Sequence, residues 1–406
     1  LGLNRVRQPH LDIYSGYTKK FSQPQGVAAV KLSFNDQEGG GDDDELTVYG
    51  VNSGTGEIFY NKSMVSLGFF GQQDQGQHVL IEAVGIDADE KGEVFVADRG
   101  SHKIVHLRIS ESNELGYVDS FDLSGSAQPL RTPTDVAVEN ESIFITDTGN
   151  DRIIEVDLQG NLVREINGKT GLHMPWGIDV IMSRDWNFFG SRFMVVTDSL
   201  NQRISLLSLD GEVIESVRYG EISDAPGGFF FVAVDYYSNI YVTDHAGGCI
   251  YKFDRFLRFL TRVGCGSGTG DDLVEPRGIS VYRRFGQIFV AEKNGASYFW
   301  VGTDVENLRS SARDERGRLD IRVRFLLTEH SWVTIRLETD GGKPVKTFAK
   351  KSFMNAGHIT LQYRLSTGEV PCPIANCKYR VTVHAQPTYS SREFHSVERT
   401  GPLRDF

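Results

Sequence analysis

The stretch ITDTGNDRIIEVDLQGNLVREI, residues 145–166, holds two short apolar strands, an Asp that opens a tight turn between them, a basic residue that closes it, and a Gly-Asn hairpin. The same grammar recurs along the chain. VFVADRGSHKIVHL places Asp98 before Ile104, Asp147 stands before Ile153 in the first stretch, and VVTDSLNQRISLL places Asp198 before Ile204. IYVTDHAGGCIYKF repeats the unit with Asp244, IFVAEKNGASYFWV with Glu292, and TVYGVNSGTGEIFY with Asn52. Successive turn residues lie 46 to 51 apart, the length a four-stranded propeller blade needs. A second signal precedes each turn. It is Pro24-Gln25-Gly26, Pro175-Trp176-Gly177 and Pro276-Arg277-Gly278 in its clearest form, with Ala83-Val84-Gly85, Pro133-Thr134-Asp135 and Phe229-Phe230-Phe231 in the equivalent places.

A twisted four-stranded sheet cannot bury both faces alone, whereas six stacked in a ring can. These units resemble the NHL-repeat β-propellers, and the resemblance covers about the first three quarters of the chain. It implies an all-β, six-bladed propeller over residues 1–304. The sixth unit stops after SYFWVGTDV without an outer strand, so DIYSGYTKKFS, residues 12–22, is expected to supply it and close the ring. The Asp series reads as structural, accepting backbone N–H groups inside its own tight turn, with Lys103, Arg152 or Arg203 pairing nearby.

The chain has 406 residues, with 43 Gly and 25 Phe against 12 Pro, which suits short strands and tight turns. Net charge is −11, without a basic block able to neutralise many phosphates, so nucleic acid is not an expected partner. Charge is uneven: residues 305–406 carry 17 basic and 11 acidic side chains, and residues 1–304 carry 26 and 43. That change of sign predicts two distinct parts. The longest purely apolar run, Phe229 to Val234, is far too short for a membrane helix. Leu1 in place of Met fits a chain shorn of a signal peptide and fits a truncated piece equally well. Cys249 with Cys265, and Cys372 with Cys377, lie close enough for two local disulfides in an oxidising compartment; buried free thiols are the alternative.

After the charged stretch 305–318, read as a linker, residues 319–386 alternate with a different rhythm. WVTIRLETDGGKPVKTF is a hairpin turning at Asp340-Gly341, and GHITLQYRL and CKYRVTVHA add strands. The order of these elements resembles the immunoglobulin-like β-sandwich of flagellar hook-capping proteins, often appended to bacterial secreted or envelope proteins. A Trp-Asp-Gly stretch of that family is replaced here by Tyr363-Arg364-Leu365. Residues 387–406, with Tyr389, Phe394 and Phe406, read as an irregular tail.

The residues after each Pro-like start, Gln25, Thr134, Trp176, Phe230 and Arg277 among them, should ring one mouth of the central channel. Without a carboxylate or histidine they form a poor acid–base set, and an aromatic with an Arg suits recognition. The amidating lyases that such propellers resemble hold zinc with histidines of several blades, which makes His78, His173 and His245 the candidates for a metal. They do not share one register position. GGGDDDEL, residues 39–46, lacks the spaced oxygens of a calcium loop and reads as a solvated insertion. The Gly-rich 266–279 segment follows no Rossmann unit, and Cys-x-x-Cys-His is absent, so no cofactor is expected. These readings favour a non-catalytic, extracytoplasmic bacterial scaffold that binds protein, glycan or its own copies. The alternative is a metal-dependent lyase or hydrolase acting at the channel mouth.

Overall fold

A computed structural model describes residues 4–35, 46–63, 66–71, 80–166, 171–182, 187–266, 272–315, 317–374, 376–389 and 395–405. The acidic insertion at 39–45, His78, Phe394 and Phe406 lie outside the described residues. The contacts divide the chain into two compact units, with the boundary between Phe299 and Trp300. No helix among the described residues is long and apolar enough to cross a membrane.

The first unit is a six-bladed propeller. Its chain opens with β1 (Asn4–Arg7) and a short helix α1 (Gln8–Ser15). Blade one is β2 (Pro24–Lys31), β3 (Leu46–Asn52), β4 (Glu57–Ser63) and β5 (Ser66–Gly71). Blade two is β6 (Ala83–Ala88), β7 (Glu93–Asp98), β8 (Lys103–Ile109) and β9 (Leu115–Phe121). Blade three is β10 (Asp135–Glu139), β11 (Ser142–Asp147), β12 (Arg152–Asp157) and β13 (Leu162–Ile166). Blade four is β14 (Pro175–Ile181), β15 (Phe193–Asp198), β16 (Arg203–Leu207) and β17 (Val213–Arg218). Blade five is β18 (Phe229–Val234), β19 (Ile240–Asp244), β20 (Cys249–Phe253) and β21 (Phe259–Val263). Blade six joins β22 (Ile279–Tyr282), β23 (Gln287–Glu292) and β24 (Gly295–Trp300) to β1 as its outer strand. The innermost strands touch in turn around the ring, and β22 returns to β2.

The apolar runs of the second strands follow from burial on both faces. On β7, Val94 and Val96 pack with Tyr49 and Ile58 of blade one, while Phe95 and Ala97 pack with Ile143 and Ile145 of blade three. Outer strands such as Leu162–Ile166 face solvent and lose that pattern. Glycine in the Pro-x-Gly signal is explained by the narrow axis. A Cβ on Gly26 would lie 2.6 Å from the Val84 carbonyl oxygen, and one on Gly278 would lie 2.3 Å from that of Gln25. Each such glycine therefore lets one inner strand touch the next.

The N-terminal closure is made by Asn4–Arg7, and residues 12–22 do not provide it: Asp12–Ser15 belong to α1. Pro9 falls at the start of the helix, where its missing N–H is harmless, so the strand must end before it. Arg7 fastens the seam through Glu292, 2.9 Å away.

The second unit is one seven-stranded, nearly closed sheet. Its strands are β25 (Val305–Glu315), β26 (Arg318–Leu327), β27 (Ser331–Thr339), β28 (Pro344–Met354), β29 (Gly357–Ser366), β30 (Tyr379–Pro387) and β31 (Val397–Asp405). Their spatial order is β28-β27-β30-β31-β25-β26-β29. Both halves of the sheet face one core, where Ile321 and Val323 meet Val333, Ile335 and Val381. The edge strands meet as Phe348 stacks on Tyr363 at 4.3 Å. Two expectations are corrected. The charged stretch 305–318 is largely the strand β25 rather than a linker, because buried Ser310 and Ala312 alternate with outward Arg309 and Arg313. The supposed tail holds β31, which pairs with both β30 and β25, and Tyr389 is buried.

Candidate active site in the central channel

The structure places Asn52, Asp98, Asp147, Asp198, Asp244 and Glu292 at the last residue of the second strand in successive blades, all buried. In five blades their backbone donors come from the loop entering the blade, which corrects the local reading there, while Asp244 accepts Gly247 N–H of its own turn at 2.8 Å. Arg131 N–H donates to Asp147 at 2.7 Å, His173 N–H to Asp198 at 2.8 Å and Val274 N–H to Glu292 at 2.7 Å. Arg152 and Arg203 each bring Nε to 2.7 Å from Asp147 and Asp198. In blade five the position equivalent to Arg152 is Cys249, disulfide-bonded to Cys265, and Tyr219 donates to Asp244 at 2.6 Å. Cys372 is likewise bonded to Cys377. These carboxylates are consumed by the blade frame.

At the mouth where the inner strands begin, neighbours in the ring touch. The Arg99 guanidinium lies 5.5 Å over the Trp176 ring, Trp176 meets Phe230 at 5.6 Å, and Phe230 meets His245 at 5.7 Å. Arg277 donates to the Pro24 carbonyl at 3.3 Å beside Gln25, and its Nη2 lies 3.8 Å from Glu275. Thr134 does not belong to this surface. It is fully buried, its hydroxyl donating to the Trp176 carbonyl at 2.8 Å.

His173 and His245 each face a carboxylate of their own. His173 pairs with Asp151 at 3.0 Å, and His245 lies 3.7 Å from Glu275. Among the described residues no three His, Cys, Asp or Glu side chains converge as metal ligands.

The chemically suggestive cluster lies deeper. The inner strands enclose a channel cavity of about 1010 Å³, lined by Asp87, Asp135, Asp179, Glu139 and Arg283 and, where the inner strands end, by Asp89, Glu90, Lys91, Glu141 and Arg284. The inner edge of each innermost strand has backbone groups without a strand partner. Carboxylates of the preceding blade take several of them: Asp87 accepts Val138 N–H at 2.8 Å, Asp135 accepts Ile178 N–H at 3.0 Å, and Asp179 accepts Val234 N–H at 2.7 Å. From blade six, Arg283 reaches across the channel. It donates to Asp179 at 3.1 Å, to Glu139 at 3.4 Å, and to the carbonyls of Val180 and Val234, both at 3.2 Å.

Asp87, Asp135 and Asp179 share one channel, where each charge disfavours the others. Burial pushes Asp87 up to about 7 against the Val138 hydrogen bond, with the Asp179 charge adding to the rise. Burial raises Asp135 well above the usual range, against its bond from Ile178 and with help from Asp87 and Asp179. Asp179 is raised by burial too, but Arg283 opposes the shift. Burial works against the charge on Arg283, and Asp179, Glu139 and Asp87 outweigh it. Burial thus biases Asp87 and Asp135 toward the neutral acid, while Arg283 opposes that bias at Asp179. A neutral Asp87 can keep the Val138 N–H on one oxygen and offer O–H from the other.

Attention to the mouth missed these residues. The signal was present: Gly85-Ile86-Asp87 and Gly177-Ile178-Asp179 repeat a tripeptide in two blades.

No protein-family model matches the chain. A probable peptidyl-α-hydroxyglycine α-amidating lyase of Caenorhabditis elegans is 30% identical over 128 residues, 30% of this chain and 36% of that protein. The match thus spans little more than a third of that relative's length. Among solved structures, a Staphylococcus aureus virginiamycin B lyase with quinupristin has TM-score 0.47 and 11% identity, covering 74% of this chain and 99% of that one. A streptogramin B lyase has TM-score 0.47 and 14% identity, covering 73% and 96%. A putative gluconolactonase has TM-score 0.48 and 12% identity, also covering 73% and 96%. The curated relative is named as an enzyme, and this overturns the expectation of a non-catalytic scaffold.

Proposed function

We propose that this chain is a propeller lyase whose proton transfers are carried out by carboxyl groups of the central channel. The carrying observation is the trio Asp87, Asp135 and Asp179, held at different protonation tendencies around Arg283. Asp87 serves as the acid. Asp179, which Arg283 favours as an anion, serves as the base.

The relative named above suggests a substrate: an N-acyl-α-hydroxyglycine, such as the C-terminal residue of a peptide. Asp179 would take the proton of the substrate hydroxyl, and its electron pair would form the aldehyde C=O as the C–N bond breaks. The departing amide nitrogen would receive its proton from Asp87. The products are the primary amide and glyoxylate, and the two aspartates exchange protonation states, to be reset through solvent. Arg283 positions Asp179 and is not free to anchor the substrate, since its guanidinium is already spread over four acceptors.

The finer reading of origin accompanies this one. The repeat pattern supports an NHL-type propeller, and the order of C-terminal strands supports kinship with hook-capping immunoglobulin-like domains. Two disulfides support an extracytoplasmic setting.

The test is glyoxylate release from N-benzoyl-α-hydroxyglycine by the full chain. Wild type should exceed the spontaneous rate, Asp179→Asn should lose about 100-fold or more, and the rate should fall above about pH 7 as Asp87 ionises. Release no faster than the uncatalysed reaction, or full activity in both Asp87→Asn and Asp179→Asn, would overturn the proposal.

A further inference from the structure

The C-terminal unit carries an unusual sheet face. Along β26 the residues alternate, with Leu319, Ile321 and Val323 in the core and Arg318, Asp320, Arg322 and Arg324 outward. Register extends the outward set over neighbouring strands. Arg309 of β25 stands directly opposite Arg324, and Arg313 opposite Asp320. On the other side Asp320 faces Arg364 of β29, while Gln362 and Thr360 face Arg322 and Arg324. Arg404 of β31 stands beside Ser311.

Adjacent strands lie about 4.8 Å apart, so these arginines start from neighbouring positions on one outward face. Like charges placed directly opposite on a sheet are destabilising. Asp320, which accepts from Arg364 at 2.9 Å, balances only part of the charge. Arg309, Arg324 and Arg404 are exposed and make no ion pair among the described residues, while Arg318 stands opposite Glu315 in the register. A fold that places Arg309 against Arg324 with no anion between them keeps a repulsion that a bound polyanion would relieve.

We propose that this face binds a carboxylated polysaccharide of the polyuronate type. The Arg fork matches a carboxylate, and Arg364 already holds one on this face. Between the arginines stand Ser311, Thr360 and Gln362, whose hydroxyl and amide groups suit sugar hydroxyls. Apart from His358 at its edge, in register with Leu326, the outward positions of β26 and its partners on β29 offer no aromatic ring on which single-stranded bases would stack, nor the apolar anchor of a membrane-surface element. The site is independent of the channel chemistry and would hold the enzyme on an acidic matrix.

The experiment is titration of the full chain with polygalacturonate at low salt, against neutral dextran, dextran sulfate, duplex DNA and phosphatidylglycerol vesicles. Polygalacturonate should bind, weaken with salt, and lose about tenfold or more in affinity in the double variant Arg309→Ser/Arg324→Ser. The ligand-free variant should melt about 1–2 °C higher, because a like-charge pair is gone; a merely structural arginine pair would lower the melting temperature. Absence of polygalacturonate binding, tighter binding of sulfated dextran, DNA or vesicles, or affinity untouched by the substitutions would each overturn the proposal.

Discussion

Replacing Asp87 by Asn gives the sharpest test of the channel's electrostatics. Asparagine has the same shape and can still accept the Val138 N–H, but it never ionises. Asp87 moves from an ordinary value of 3.8 to about 7 on folding, mainly through burial. The folded state therefore prefers the neutral acid. That preference stabilises the protein fully below about pH 4 and is lost as pH rises through about 7, where the native carboxyl must finally ionise. At about 1.4 kcal/mol per unit the ceiling is about 4 kcal/mol. Because Asp135 and Asp179 share the repulsion, about 2–4 kcal/mol is expected. Calorimetry of wild type and Asp87→Asn at pH 4 and pH 8 measures the effect on the propeller transition. The two should melt alike at pH 4, and the variant should melt about 3–6 °C higher at pH 8. A gap that stays constant with pH, or a variant less stable at pH 8, would refute the assignment.

Arg283→Met should destabilise the propeller by about 3–5 kcal/mol near neutral pH, because Asp179 and Glu139 lose their shared cation; chemical denaturation checks it, and adding Asp179→Asn should recover part of the loss. Gly177→Ala should cost about 1–3 kcal/mol, since its Cβ would stand 2.5 Å from the Phe230 carbonyl oxygen, whereas Gly190→Ala meets no neighbouring atom and should show only the smaller strain of its φ of +61°; paired thermal melts compare them. Reduction of the Cys249–Cys265 bond, which closes a 16-residue separation, should lower stability by about 3 kcal/mol, as followed by melting with and without dithiothreitol.

The blade frame was largely legible because it repeats. An Asp-type residue that ends a second strand recurs near every 50 residues, and a glycine marks each tight approach at the axis in four blades, Gly26, Gly85, Gly177 and Gly278. The second unit was legible in its alternation and misread at its borders. Arg309 and Arg313 looked like a solvated linker because charge dominates the text, while the buried Ser310 and Ala312 between them are small and quiet. The closing strand was misplaced by a few residues because Asn4–Arg7 lacks apolar weight, and its partner is nearly 300 residues away.

Periodic burial is a local property, so the chain's own order of residues was enough to determine six small sheets, their spacing and the turn carboxylates that tie them. The repeated Gly-Ile-Asp marks Asp87 and Asp179 in the sequence, but that these acids share a channel depends on where six separate strands converge. Only the closed ring puts Asp87, Asp135 and Asp179 within reach of each other's charge and brings Arg283 across from blade six. There burial, not residue type, sets which carboxyl keeps its proton.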